Sequence, residues 1–260
     1  MGTIDISIGS LLAGLLLMII PVYFLWKYRT GMVKSTVTAL ARMVGQLFLV
    51  GLYLKYLFLW DNPFLNVAWV IIMVFVATET ALTRTKLKRS IMMCPIMVGF
   101  VTGAILVGFY FLGIVLELNN VFSVQYFIPV FGILMGNMLG VNVIALNTFY
   151  SHLRRESTYY YFMLGNGATV QEAVSPFVKQ ALVRAFSPAI ANMAVMGLVA
   201  LPGTMIGQIL GGSTPDVAIK YQMMIIVITI SASMLSIAVT LYLVRRLAFD
   251  ADGCIKNVSR

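Results

Sequence analysis

The residue types that carry covalent or acid–base chemistry are few in this chain, and their spacing assembles no reaction centre. His152 is the single histidine and falls in a polar stretch. Neither a Ser–His dyad within the apolar segments nor a His-x-x-x-His metal pair can therefore be drawn. No Gly-x-x-x-x-Gly-Lys-Ser/Thr run occurs, so the chain lacks the P-loop that cradles nucleotide phosphates. The apolar segments hold no paired carboxylates. Cys94 lies in an apolar segment and Cys254 in the polar tail, a placement that predicts no disulfide. Neither enzyme activity nor a cofactor held by this chain is expected, and no metal-ligand set is assigned.

Polar residues stranded inside apolar segments point instead to passage through a membrane. The run Leu201-Pro202-Gly203-Thr204-Met205-Ile206-Gly207-Gln208 breaks one such segment, because proline removes a backbone donor and clashes with the preceding turn. Hydrocarbon holds no water for the freed carbonyls, so irregular backbone persists at depth only inside protein or along a wet cavity. Met196 and Met205 flank that break with soft thioethers, and Gln208 adds an amide. The other methionines read mainly as packing. Asn137 borders a stripe of Gly132, Gly136 and Gly140 in another segment, where it either lines a path or bonds a neighbouring helix. Glu79 either pairs with Arg84 or Lys86 or offers a carboxylate to a cation. Arg42 and Gln46, four residues apart, share one helix face, with snorkelling or a freed carbonyl as structural uses for Arg42.

These residues need helices of membrane length to position them. The 260 residues are 60% hydrophobic and only 10% charged, against about 25% charged in a soluble domain. Mean hydropathy is +0.95. Seven apolar segments of near-spanning length can be drawn, at 8–26, 35–60, 65–82, 91–116, 127–149, 188–210 and 221–244. The fold class expected is all-α, a polytopic membrane protein of about seven transmembrane helices forming a single domain over residues 1–260. Of the 18 basic residues, 15 fall on one side of these segments, while Asp5, Asp61, Glu117 and Asp216 fall on the other. That bias predicts an external N-terminus and an internal C-terminus. The net charge of +9 is thus a sign of orientation rather than of nucleic-acid binding.

A polar stretch at 150–187 is too polar to span, and reads as helix, Gly-rich turn, helix on the cytoplasmic side. Within it, Gly167-Ala168-Thr169-Val170-Gln171-Glu172-Ala173 offers a rigid knob for a groove on a partner, or else is a plain surface loop. The string resembles the Gly-Ala-x-x-x-Glu-Ala pattern of ABC permease coupling helices. Further blocks extend the resemblance. They are Arg42-x-x-x-Gln46-Leu47, Gly51-x-x-x-Lys55-Tyr56, Pro129-x-x-Gly132-x-x-x-Gly136-Asn137, the Leu201-Pro202-Gly203 run and Pro215-x-x-Ala218-x-x-Tyr221-Gln222. With these the chain is similar over nearly its whole length to the FetB-type ABC transporter permease family. It carries Val170, Ala200 and Thr204 where that family often has Pro, Ser and Met.

The resemblance implies the membrane half of an exporter in the bacterial cytoplasmic membrane, linked with iron or other metals; plant relatives are associated with aluminium tolerance. It implies a second copy of the chain and a separate ATPase that binds ATP and Mg. That ATPase would dock on Gly167, Ala168, Thr169, Glu172 and Ala173. The substrate path expected runs by Asn137, Met196, Pro202, Gly203, Met205 and Gln208, with Glu79, Arg42 and Gln46 as further candidates. A stand-alone carrier or channel is the alternative, and it would want a titratable relay for which only Glu79 is available.

Overall fold

The computed structural model describes residues 6–247 and 249, so Asp5, Cys254, Lys256 and Arg260 lie outside the described residues. Ten α-helices follow one another among the described residues. They are α1 (Ile8–Leu15), α2 (Ile19–Lys27), α3 (Val33–Trp60), α4 (Pro63–Thr85), α5 (Arg89–Tyr110), α6 (Val124–Arg155), α7 (Ser157–Gly165), α8 (Val170–Val195), α9 (Gly203–Leu210) and α10 (Pro215–Leu247). The protein is an all-α, polytopic membrane protein.

Among the described residues six helical stretches are long and apolar enough to cross a bilayer: Ile8–Lys27, Val33–Trp60, Pro63–Thr85, Arg89–Val115, Val124–Arg155 and Pro215–Arg245. The first combines α1 and α2 across a 3-10 turn at Leu16–Met18. Pro21 explains the tightening, since it lacks a donor and its ring crowds the Leu17 carbonyl. The sixth apolar segment, 188–210, is not one helix. Its first part ends α8, residues 196–202 are non-helical, and its last part is α9. Two helices also run further than expected. α6 continues to Arg155, so the fifth apolar segment and the first part of the polar stretch, with His152, are one helix. α8 passes through Pro188, so the second helix of the polar stretch and the start of the sixth segment are continuous.

The core lies among α4, α5, α6, α8 and α10, where Met92, Ile96, Phe100, Leu134, Met138 and Phe177 are fully buried. α5 and α10 are pressed together at glycines. A Cβ built on Gly99 would meet Thr240 Oγ1 at 2.1 Å and the Ser236 carbonyl at 2.6 Å, and one on Gly103 the Ala232 carbonyl at 2.8 Å. The expected stripe of Gly132, Gly136 and Gly140 does not serve this purpose within the protomer, because a Cβ on Gly136 or Gly140 would meet nothing within 4 Å.

Helix ends are tied by capping groups. The Asp61 carboxylate accepts from the Val124 amide at 3.0 Å, and Asn66 Nδ2 donates to the Phe122 carbonyl at 2.9 Å. These bonds join the α3–α4 turn to the start of α6. At the opposite end Tyr150 of α6 is buried against Met92 of α5. α1 and α2 have no buried residue, and α3 buries Leu57 alone while stacking Tyr53 on Trp69 of α4 at 4.0 Å. Their apolar surfaces suit lipid.

A cavity at the broken helix as the candidate substrate path

Two cavities meet where α8 gives way to α9. The middle cavity, about 420 Å³, lies between α6, the end of α8 and α10. Its polar lining is Asn137, Asn192, Thr204, Gln222, Thr229 and Ser233, with the thioethers of Met193 and Met196. The second cavity, about 560 Å³, lies toward the Asp61 end and is lined by Gln125, Tyr126, Thr204, Gln208, Ser213 and Tyr221 among apolar groups. Ile133, Thr204 and Ile225 line both. The two cavities therefore adjoin and together follow much of α10.

The break that makes this possible is built by Gly197 as much as by Pro202. Gly197 has φ +87°, a conformation that L side chains rarely adopt, and its amide donates to the Ala200 carbonyl at 3.0 Å. Pro202 then stands as the extended cap before α9, with Gly203 as the first helical residue. Thr204 in the first turn of α9 donates its hydroxyl to Gln222 Oε1 at 2.5 Å. Gln222 Nε2 lies 4.0 Å from the Met196 sulfur. The chemistry on offer is that of neutral amide and hydroxyl oxygens with soft sulfur, which can replace part of a cation's hydration shell without a fixed counter-charge. Among the described residues no group of three or more His, Cys, Asp or Glu side chains could hold a metal ion.

The comparisons with known proteins fit this architecture. Residues 8–249 match the uncharacterised protein family UPF0014. The chain belongs to the UPF0014 family. Its relatives include the Escherichia coli K12 protein named probable iron export permease protein FetB, 26% identical over 96% of this chain and 95% of the relative. The rice UPF0014 membrane protein STAR2 is 31% identical over 83% of this chain and 74% of its own length. The Arabidopsis thaliana protein ALUMINUM SENSITIVE 3 is 28% identical over 89% of this chain and 83% of its own. No solved structure matches. The resemblance drawn from the sequence motifs is thus correct at the level of family, and this UPF0014 member is a multi-pass membrane protein of a permease family.

In this UPF0014 protein the expected path residues separate into groups. Asn137 and Met196 line the middle cavity, and Gln208 lines the second. Asn137 is exposed, and its Nδ2 donates to Ile133 of its own helix at 2.9 Å rather than to a neighbouring helix. Met205 is half-buried and lines neither cavity. Glu79 pairs with Arg89 at 2.6 Å, not with Arg84 or Lys86. The α4–α5 turn brings Arg89 back onto α4, a relation that helical spacing along α4 alone does not contain. Arg42 and Gln46 are exposed on α3, away from both cavities.

The coupling region divides likewise. Gly167 makes the turn at φ +89°, and Thr169 caps α8 with Glu172 in a reciprocal capping box. Ala173 is fully buried and faces the core, so it is no part of an outer docking surface. Exposed groups there are Tyr161, Phe162, Gly165, Asn166, Gly167, Thr169, Gln171 and Glu172, so the expected docking residues Gly167, Thr169 and Glu172 are on the surface, while Ala168 is half-buried. Motif reading missed Asn192, Thr229 and Ser233, and it quoted Gln222 in a family block without placing it on the path. The signal for the α10 residues was present as Gln222, Thr229, Ser233, Ser236 and Thr240, five polar residues at helical spacing on one buried face.

Proposed function

We propose that this chain is the permease subunit of an ABC exporter for iron or another metal ion in the cytoplasmic membrane. Two copies would form the path and a separate ATPase would drive it. The observation that carries the reading is the pair of adjoining cavities at the α8–α9 break, lined by uncharged oxygen and sulfur donors. Transporters put cargo sites where spanning helices are interrupted, because irregular backbone survives there. The printed name of the FetB relative supports export of iron as the first cargo to test.

The second copy is supported by what the middle cavity leaves open. Asn137 and Asn192 are exposed amides on α6 and α8, and Gly136 beside Asn137 leaves room for another chain. An exposed amide facing hydrocarbon is costly even when, as in Asn137, one of its donors is bonded to its own helix, and a second protomer would cover it. For the ATPase, the capped turn between α7 and α8 is the supporting feature. It presents a rigid knob with Phe162 65% exposed beside it.

The test is ATP-driven uptake of Fe²⁺ and other metal ions into inverted vesicles holding the chain and its candidate ATPase. Phe162→Arg and Gln171→Trp, both on exposed positions, are expected to abolish ATP-driven uptake while the chain still inserts. Uptake that proceeds in the absence of any ATPase, driven by an ion gradient, would favour the stand-alone carrier and overturn this reading.

A further inference from the structure

We propose that Gln222 is the gate residue of this path, sealing the second cavity from the middle one through Thr204 and Met196. The inference rests on the path assigned above. It gives Gln222, which the sequence motifs contain without a function, a conformational role.

Gln222 sits on the buried face of α10 and is 8% exposed. Its carbonyl oxygen accepts from Thr204, and its amide nitrogen faces the sulfur of Met196. Thr204 belongs to the lining of both cavities, so this hydrogen bond stands at their junction. Tyr221, one residue before Gln222, lines the second cavity, while Thr229 and Ser233 beyond it line the middle one. Beyond Gln222, Ile225 lines both cavities and Ile228 the second, so α10 runs along both here, and Gln222 on the middle cavity holds Thr204 at the wall they share.

The three groups arrive on three separate pieces of chain. Met196 follows α8, Thr204 opens α9 and Gln222 belongs to α10. No helix holds all three in register. A displacement of α9 on the non-helical 196–202 link would part Thr204 from Gln222 without unwinding any helix. The seal is also made of the groups that would bind cargo. A cation in the middle cavity competes with the Thr204 hydroxyl for the same Gln222 oxygen and with the Gln222 amide for the Met196 sulfur. Occupancy of the cavity and release of the latch are then one event, which is what alternation between two states requires of a ligand.

Accessibility tests this without transport. In a Cys94→Ser, Cys254→Ser background, Ser233→Cys reports on the middle cavity and Ser213→Cys on the second. Membrane vesicles are treated with a charged methanethiosulfonate from the face that labels Ser213→Cys. With the latch intact, Ser233→Cys should label slowly. Adding Thr204→Val, which keeps shape but removes the donor, should raise its rate about tenfold, as when one hydrogen bond ceases to hold the closed form. Gln222→Met, which keeps length and removes both polar contacts, serves as the second variant in case the first folds poorly. Equal Ser213→Cys labelling throughout confirms an intact fold. If Ser233→Cys labels at the same rate with and without the latch in either folded variant, the gate is overturned. The readout needs neither ATPase nor cargo, so failure of ATP-driven transport would sink the exporter reading and leave the gate standing.

Discussion

Glu172 shows how a residue picked for one role can be occupied by another. Its Oε2 accepts from the Thr169 amide and hydroxyl, each at 2.8 Å, and its own amide donates to Thr169 Oγ1 at 3.3 Å. The backbone and then the side-chain hydrogen bond from Thr169 hold the Glu172 carboxyl below the usual carboxylate range. A depressed folded value means that the contribution is in place above the ordinary carboxylate pKa and is lost as pH falls through the folded one. Thr169→Ala should cost the first turn of α8 about 1 kcal/mol. Amide protection factors there should fall in this variant at neutral pH, and wild type should lose protection in the same turn on acidification. Unchanged protection in Thr169→Ala would show that the cap holds nothing. Glu172→Arg would therefore break a helix start as well as alter a surface. Ala173→Trp would overfill the core, so it cannot report on docking.

At the scale of helices, Gly99 and Gly103 of α5 leave no room for a Cβ against α10, while Gly136 and Gly140 of α6 stay open. Both sets read alike in sequence as small residues four apart, and only the partner's position separates them. Gly99→Ala should destabilise by about 1–3 kcal/mol, since its Cβ would collide with α10 backbone that cannot retreat. Gly140→Ala should leave the melting temperature of a purified protomer unchanged. Thermal unfolding in detergent checks both, and equal losses would mean that the α5–α10 contact is looser than drawn. The same distinction applies at the break. Replacing Pro202 and Gly203 by Ala removes two helix breakers, yet Gly197 at positive φ and its bond to Ala200 would still interrupt the segment.

For the whole molecule, the helix ends carrying Lys27, Arg29, Lys34, Arg84, Lys86, Lys88, Arg89, Arg154 and Arg155 form the basic side. Charge bias predicts that this side faces the cytoplasm and that the acidic side with Asp61 and Glu117 faces the exterior. On that assignment the broken 188–210 segment is predicted to add a crossing in two pieces to the six spans of the described residues. Cysteines introduced at Asn119 and Ser213 should label from outside intact cells, and those at Lys86 and Thr158 should not. External labelling at Lys86 would invert the arrangement. Labelling of Asn119 and Ser213 from opposite sides would mean that α8 and α9 do not together cross.

The sequence by itself determined the quantities that depend on length, apolarity and charge. Runs of apolar residues fixed where helices must lie, because hydrocarbon forces each backbone group to bond within its own segment. The Leu201-Pro202-Gly203 run located the interruption to within a few residues, and Gly-Ala-Thr located the turn before α8. Tertiary structure decided every matter of partnership. It paired Glu79 with Arg89 across a turn, turned Ala173 inward, gave Asn137 a bond to its own helix, and left Arg42 and Gln46 outside the cavities. It also joined Thr204 to Gln222 across 18 residues of sequence. The physical reason is that propensity and hydropathy act along the chain, over one or two turns. Which polar group meets which depends on helix crossings and rotations set by packing, and those arise only when distant segments share one core.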